Sequence, residues 1–308
     1  MENNEAKNLK LQKAIVRAIV FFDMFDYPLS ANEIVSYLDC PATFLEASKA
    51  LENLPDNIQE KQGFYFLSGR EGLLTERPKR FNFTAQKFKI AKRVTKVFRL
   101  VPYIELLAVS NIIGSHNLRD QSDIDLFIIT RPKRIWLTRL ICAGLMKILN
   151  LRPNKKTKRN KICLSFYITT EQLNLEKLKI SDNDWYFNYW LAGLVPLYDR
   201  GGVYEKLIKQ NSWLERFLPN WRPYGPVGSR EIKVRKCLSK FKMFGGRIMD
   251  RMEMVAKKWQ LRILPPELKE LMNQDTRVII SDSIIKLYLV DRRAELSEKY
   301  QTRIKNLL

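Results

Sequence analysis

The sequence predicts an α+β fold in which a small amino-terminal unit and a basic helical region flank a mixed sheet with helices. Three observations support this prediction. Helix-like and hairpin-like patterns share residues 1–76, two apolar strands enclose a polar loop between Leu107 and Thr130, and basic helix-like sequence fills residues 213–308. With 308 residues, 45% of them hydrophobic, the chain is long enough to bury two or three small cores.

The amino-terminal residues carry helix boundaries that can be recognised from sequence. Leu11 to Phe25 has an apolar stripe at helical spacing, and Pro28 ends this helix because proline disfavours the helical conformation in the residue before it. Ser30 and Glu33 match a capping box, in which the two side chains satisfy free amides at the start of a second helix. A third amphipathic helix follows Pro41.

A hairpin completes this unit. Ile58 to Leu67 has the pattern of two short strands that turn at Gln62-Gly63. Three helices and a hairpin predict a winged helix for residues 1–76. These residues hold 7 Lys and Arg against 12 Asp and Glu, and phosphate contacts need the opposite balance. A structural or protein-contacting role is therefore favoured over a DNA-binding regulator.

The remaining residues are strongly basic. The chain has a formal net charge of +21, and the residues after position 76 hold 47 Lys and Arg against 21 Asp and Glu. Such positive charge attracts RNA, DNA or an anionic membrane surface. Alternatively, the excess of Lys and Arg serves only to keep the protein soluble. Residues 77–96 predict a basic linking helix, because Arg77 to Arg99 contains nine Lys and Arg and no acid around an apolar stripe.

Asp123 and Asp125 are the strongest candidates for a chemical role. They stand two residues apart at the start of an apolar strand that runs to Ile129, and residues i and i+2 of a strand point to one face. Two carboxylates on one face suit a hard divalent cation such as Mg²⁺, which proteins hold with one or two carboxylates plus phosphate oxygens of a substrate. The pair therefore predicts a metal site with a nucleotide as ligand.

The segment around these aspartates resembles the nucleotidyltransferase superfamily with the polymerase beta-type fold, over roughly Val97 to Asp199. The shared pattern is an apolar strand, a Gly-Ser turn, a loop and Asp-x-Asp. The resemblance implies a nucleotidyltransferase-like domain at residues 97–212 that uses Mg²⁺ and an NTP, expected to be ATP. It also implies transfer of a nucleoside monophosphate to an unknown acceptor, for which the charge suggests RNA. Asp123 and Asp125 would be both metal ligands and catalytic residues.

The phosphate-binding turn of this resemblance fits in two registers. Gly114-Ser115 supplies the Gly-Ser pair but leaves only seven residues before Asp123, which is shorter than the family loop. Ser110 to Ile112 restores the loop length, and Asn111 tolerates the left-handed backbone, so this register is favoured. The candidate phosphate-binding residues from both registers are Ser110, Asn111, Gly114, Ser115 and Ser122.

Basic residues follow the Asp-bearing strand directly. Arg131, Lys133 and Arg134 are expected behind the aspartate pair, where they would neutralise triphosphate charge.

The next strand, Ile162 to Ile168, bears a third carboxylate in many members of the superfamily, but the matching position here is Ser165. No Asp or Glu occurs from Leu126 through Thr170. Three interpretations remain open: a distant acid enters the site, one metal suffices, or a catalytically degenerate fold serves as an RNA-binding or protein-interaction protein. The distant acids considered are Glu105, Asp120, Glu171 and Asp199.

Several classes of protein are disfavoured by composition. Four widely spaced cysteines and one histidine support neither a disulfide framework nor a zinc site, and they suit the reducing cytoplasm. No run of about 18 uncharged apolar residues occurs, so no membrane span is expected. The oligomeric state has no signature in the sequence.

Overall fold

The computed structural model describes residues 2–110, 116–154, 157–223, 232 and 246–308. Within these ranges the chain is a mixed α+β protein with a three-stranded and a six-stranded sheet. The candidate residues Asn111, Gly114 and Ser115 lie outside the described residues.

The amino-terminal unit contains the predicted three helices and hairpin, together with one short strand that the sequence did not indicate. Ser30 and Glu33 form the predicted capping box. The hairpin turns through Gln62 and Gly63, which both have left-handed backbone angles, with φ of 56° and 77°. The elements are α1 (Glu2–Asp23), β1 (Leu29–Ser30), α2 (Ala31–Ser36), α3 (Phe44–Leu51), β2 (Ile58–Lys61) and β3 (Phe64–Leu67), and the strand order is β1-β3-β2.

The larger sheet forms the centre of the molecule. Its order is β7-β4-β5-β6-β9-β8. Strands β5 and β6 are parallel, and the other four neighbouring pairs are antiparallel. A crossover helix joins β5 to β6, as a parallel pair requires. The bounds are α4 (Leu73–Phe98), β4 (Ile104–Val109), β5 (Ile124–Thr130), α5 (Ile135–Ile148), β6 (Ile162–Thr169), β7 (Val195–Asp199), β8 (Val278–Ile280) and β9 (Ile284–Leu287).

The carboxy-terminal part is not purely helical, which corrects the expectation for residues 213–308. Strands β8 and β9 extend the central sheet at its edge, because Ile284 and Ile285 pair with β6 across a sequence separation that local periodicity does not detect. The remaining elements are a 3₁₀ turn (Glu176–Leu178), α6 (Trp185–Ala192), α7 (Val203–Gln210), α8 (Trp213–Phe217), α9 (Arg247–Arg262), α10 (Pro266–Glu270) and α11 (Arg293–Leu307). None of the helices in the described ranges is both long and apolar enough to cross a membrane.

Hydrophobic side chains cover both faces of the central sheet. One cluster lies between one face and helices α4 and α5. The other cluster continues from the opposite face through α6 and α11 into α1. Phe21 of α1 lies 4.2 Å from Tyr189 of α6 and 5.6 Å from Tyr300 of α11, measured between ring centroids. The amino-terminal unit therefore shares a core with the sheet.

A buried ion cluster joins α11 to the rest of this core. The Arg293 guanidinium donates to the Asp184 carboxylate at 2.8 Å, to the Leu178 carbonyl oxygen at 2.9 Å, and to both Asp291 and Thr276 at 2.6 Å. Arg293 is 5% exposed and Asp184 is 2% exposed. Removal of the guanidinium would leave the Asp184 carboxylate buried and without its cation.

We expect Arg293→Met to destabilise the folded chain by about 3–5 kcal/mol, the usual cost of removing one partner from a buried ion pair. The measurement is the midpoint of urea unfolding. Arg292→Met is the matched control, because the neighbouring Arg292 pairs with Glu295 on the surface. Equal midpoints for the two variants would contradict the structural role of Arg293.

Candidate functional site

The aspartate pair lies at one end of the inner strand β5 of the central sheet, next to the ends of β4 and β6. Asp123 immediately precedes β5, and Asp125 is the second residue of that strand. The Ser110 amide at the end of β4 donates to the Asp125 carbonyl oxygen at 3.0 Å, and the Ile124 amide donates to Lys161, before β6, at 2.8 Å. Backbone bonds to both neighbours therefore hold the segment that carries the carboxylates.

Cys163 is the third member of the site, and the sequence analysis did not identify it. Asp125 pairs with Cys163 in the parallel register of β5 and β6. One carboxylate oxygen each of Asp123 and Asp125 and the Cys163 sulfur all lie within 4.8 Å of one another. Ser165, the position matched from sequence, lies two residues further along, and its Oγ accepts a hydrogen bond from Cys163 at 3.3 Å. Only the pairing of β5 with β6 brings this thiol to the aspartates.

Burial dominates the electrostatics of this cluster. Burial, followed by the negative charge of Asp123, raises the pKa of Asp125 to about 7, against a weaker opposing effect of a hydrogen bond from Cys163. Burial also raises the pKa of the Cys163 thiol, and the neighbouring Asp125 charge adds to this effect. No described Lys or Arg forms an ion pair with Asp125. A bound cation would therefore relieve a buried negative charge.

A cavity of about 520 Å³ opens from Asp125 towards α11. Its volume is in the usual range for small-molecule sites. Ser110 and Ser122, both predicted as phosphate-binding residues, line it beside Asp125. Its aromatic side chains are Phe25, Phe166, Tyr186, Phe187, Trp190 and Tyr288, and its basic side chains are Arg119, Lys286, Arg292, Arg293 and Lys299. Asp291 and Glu295 also line the cavity, where Asp291 pairs with Lys286 and Arg293 and Glu295 pairs with Arg292. The aromatic side chains, with the excess of basic over acidic groups, suit a ligand with a ring and phosphate groups.

Lys286 is a buried cation in the wall of this cavity. It is 5% exposed, and its ammonium group donates to the Thr276 carbonyl oxygen and lies 3.9 Å from the Asp291 carboxylate. Burial, followed by repulsion from Arg293, lowers its pKa to about 8. An anion bound in the cavity would favour the charged form of Lys286.

Lys87 of the basic helix α4 fixes the loop before Asp123. Its ammonium group donates to the carbonyl oxygens of Asp120 at 2.9 Å and Ser122 at 2.7 Å, and to Asn160 Oδ1 at 2.9 Å. Lys87 is 1% exposed. All three of its donors are satisfied by the two loops that precede β5 and β6, so this lysine stabilises the approach to both strands of the site.

The amino-terminal unit supplies another wall through the turn after α1. Arg80 donates to the Phe25 carbonyl oxygen at 2.7 Å and to Asn117 Oδ1 at 2.6 Å. Arg119 donates to the Asp26 carboxylate at 2.9 Å. These contacts join the turn to the loop before the aspartates, and they place Phe25 against the cavity.

The expected charge-neutralising residues lie elsewhere, which is a correction. Arg131, Lys133 and Arg134 follow the far end of β5, about 20 Å along the strand from Asp125 at the usual rise per residue. Arg131 bonds Glu105 at 2.5 Å and Arg134 pairs with Asp250 at 2.8 Å. These basic residues follow the aspartates closely in sequence but lie far from them in space, because the intervening residues form an extended strand.

Of the four acids considered as replacements for the third carboxylate, Glu105, Asp120 and Asp199 have other partners, and Glu171 is absent from the cluster. Glu105 pairs with Arg131, and Asp120 pairs with Arg159 at 3.0 Å. Asp199 accepts hydrogen bonds from two amides at the start of α7. Among the described residues, the metal-ligand cluster at this site contains Asp123, Asp125 and Cys163 only.

Comparison of the chain with protein-family models, curated proteins and solved structures found no match.

The raised pKa of Asp125 predicts a pH-dependent effect of Asp125→Asn in metal-free protein. An unfolded Asp ionises near its ordinary value of 3.8, whereas the folded carboxyl keeps its proton up to about pH 7. The stability contributed by this proton is therefore complete in acid and is lost as the pH rises through the folded pKa. Asparagine does not titrate.

We therefore expect Asp125→Asn to be more stable than the native chain at about pH 8, by on the order of 1–3 kcal/mol, with the gain shrinking towards about pH 5. Urea midpoints measured with a chelator across this range test the expectation. A difference that is constant with pH would contradict it. The native chain in acid serves as the internal control.

Proposed function

We propose that the chain is a Mg²⁺-dependent nucleotidyltransferase that moves a nucleoside monophosphate from an NTP, expected to be ATP, to a hydroxyl or phosphate of an acceptor. The observation that carries this proposal is that Asp125 lines a cavity with aromatic and basic side chains, and that a carboxylate oxygen of Asp123 lies within 4.8 Å of one of Asp125. A pair of carboxylates next to a space of about 520 Å³ suits a cation that is shared with phosphate oxygens.

The strand arrangement supports a nucleotidyltransferase-type fold as part of this proposal. Strand β4 leads through a loop into the antiparallel β5, which carries the aspartates, and β6 lies parallel to β5. This agrees with the strand, loop and Asp-x-Asp pattern by which the sequence resembles the superfamily. The three helices and hairpin of the amino-terminal unit likewise support a winged helix there, in a structural role because its turn forms a cavity wall.

The residues around the cavity have distinct parts in this proposal. Asp123 and Asp125 would hold the cation, which when bound supplies positive charge to the phosphate oxygens. Ser110 and Ser122 line the same space; their hydroxyls donate to the carbonyl oxygens of Asp125 and Arg119 and would exchange these bonds for ones to phosphate. The exposed Lys299 is better placed than the three basic residues after β5 to offset triphosphate charge. The aromatic wall would pack against the nucleotide base.

The donor set fits the proposed Mg²⁺ only in part. The two carboxylates are typical ligands of a hard cation, but the Cys163 sulfur is not. Any Mg²⁺ at this site would therefore depend on the two carboxylates, water and substrate oxygens.

We expect the double variant Asp123→Ala/Asp125→Ala to lose transfer of label from an α-labelled NTP by at least about 1000-fold, because the cation and the phosphates it would orient are lost together. The native chain is assayed with a panel of the four NTPs and total RNA as acceptor. Glu205→Ala is the matched control, because its carboxylate lies on the surface of α7 in an ion pair with Lys209. Unchanged transfer by the double variant would overturn the assignment.

A second candidate function is a catalytically degenerate protein of the same fold that binds RNA. It is favoured by the net charge of +21 and by Cys163 and Ser165 in place of a carboxylate on β6. This function predicts RNA retention on a filter near physiological salt that weakens as salt rises and survives the double aspartate variant. Absence of retention at that salt would exclude it.

A further inference from the structure

Cys163 is the one soft ligand among the three groups that converge at the start of β5 and β6. The resemblance matches the third carboxylate of this strand to Ser165, whereas the residue that the structure places beside the aspartates is Cys163. The position is determined by the sheet, because Asp125 and Cys163 are paired residues of adjacent parallel strands and such side chains project to the same face. The thiol therefore belongs to the same site as the carboxylates.

We propose that Cys163 is a metal ligand, and that the Asp123, Asp125 and Cys163 site binds a thiophilic divalent cation such as Zn²⁺ in preference to Mg²⁺. The proposal rests on the carboxylate site of the proposed function, replaces Mg²⁺ with a thiophilic ion as its preferred cation, and is independent of nucleotidyl transfer.

The distances allow one cation to reach all three groups. Zinc binds carboxylate oxygen at about 2.0–2.2 Å and thiolate sulfur at about 2.3 Å, so these ligand atoms around a tetrahedral ion lie about 3.4–3.6 Å apart. The three ligand atoms here lie within 4.8 Å of one another without an ion. Rotations that move each atom by about 1 Å close this gap, and they require no change in strand pairing. The cavity leaves space for water or a substrate oxygen as the fourth ligand.

The identity of the ligands determines the preferred ion. Mg²⁺ takes oxygen ligands in an octahedral shell and gains little from sulfur, whereas Zn²⁺ and Cd²⁺ bind thiolate strongly. Coordination replaces the thiol proton, which passes to solvent, and the thiolate sulfur forms the bond to the metal. Ser165 then reverses its role: its hydroxyl, which accepts from the thiol at 3.3 Å, can donate to the thiolate.

The charge balance of the site also favours a cation with strong ligand bonds. Asp125 lies beside Asp123 and forms no ion pair with a described Lys or Arg. A divalent cation would supply positive charge between the two carboxylates. Within the described ranges, this is the cluster in which three acidic, thiol or imidazole groups approach closely enough to share an ion.

The test uses Cd²⁺ as a spectroscopic probe of the full-length chain after treatment with a chelator. Cd²⁺ bound to thiolate gives an ultraviolet charge-transfer band that carboxylate-bound Cd²⁺ does not give. We expect the band to saturate at one equivalent, to vanish in Cys163→Ser, and to need at least about tenfold more Cd²⁺ in Asp123→Asn. Cys40→Ala, Cys142→Ala and Cys237→Ala are the matched controls, and each should retain the band.

Competition then measures selectivity. Zn²⁺ should displace Cd²⁺ at comparable concentration, whereas a 100-fold excess of Mg²⁺ should leave the band unchanged. Cys163→Asp, which converts the site to oxygen ligands, should lose the band and bind Mg²⁺ at least about tenfold more tightly than the native chain does. Circular dichroism of each variant establishes that it is folded, and Cys163→Ala replaces Cys163→Ser if the latter is not.

Three results would overturn the proposal: no band in the native chain, a band that persists in folded Cys163→Ser or Cys163→Ala, or displacement of Cd²⁺ by equimolar Mg²⁺. These outcomes are separable from failure of the proposed function. If the native chain shows a Cd²⁺ band that depends on Cys163 but has no transfer activity, only the proposal of nucleotidyl transfer is contradicted. If the native chain shows transfer that needs the aspartates but no Cd²⁺ band, only the proposal of a thiolate metal site is contradicted.

Discussion

Strand β5 is hydrogen-bonded on both edges, and its apolar side chains are buried against cores on both faces of the sheet. This double constraint sets the position of the residues just before and at its start. Asp123 and Asp125 stay close to one another, and Asp125 stays opposite Cys163, because a one-residue slip of β5 would exchange its side chains between two close-packed cores. Burial, followed by the closeness of Asp123, raises the pKa of Asp125, and the hydrogen bonding and packing of the sheet maintain both.

Buried cations connect this strand to the rest of the molecule. Lys87 holds the loops before β5 and β6, Arg80 joins the turn after α1 to the loop before the aspartates, and Arg293 anchors α11. The net positive charge suggested polyanion binding, but these cationic side chains bind carbonyl and carboxylate oxygens of the protein itself. Each of these side chains satisfies several acceptors, which offsets the cost of its burial.

The cavity is assembled from segments that are remote in sequence. Phe25 comes from the amino-terminal unit, Asp125 from the central sheet, and Lys286 from the carboxy-terminal hairpin that extends this sheet. A ligand in this space would contact all three segments. Occupation of the cavity and the integrity of the shared core are therefore coupled, and a loss of α11 packing would open the cavity as well as destabilise the chain.

The sequence by itself determined the local elements and one half of the site. Three features depend only on residues that are neighbours in sequence, so they can be predicted without knowing which distant segments pack together. They are the capping at Ser30, the turn at Gln62-Gly63 and the Asp-x-Asp strand. The β8–β9 hairpin, the thiol of Cys163 opposite Asp125, and the separation of Arg131 from the aspartates depend on which strands pair and in which register. Pairing is decided by burial of whole strands against distant segments, and only the tertiary structure contains that information.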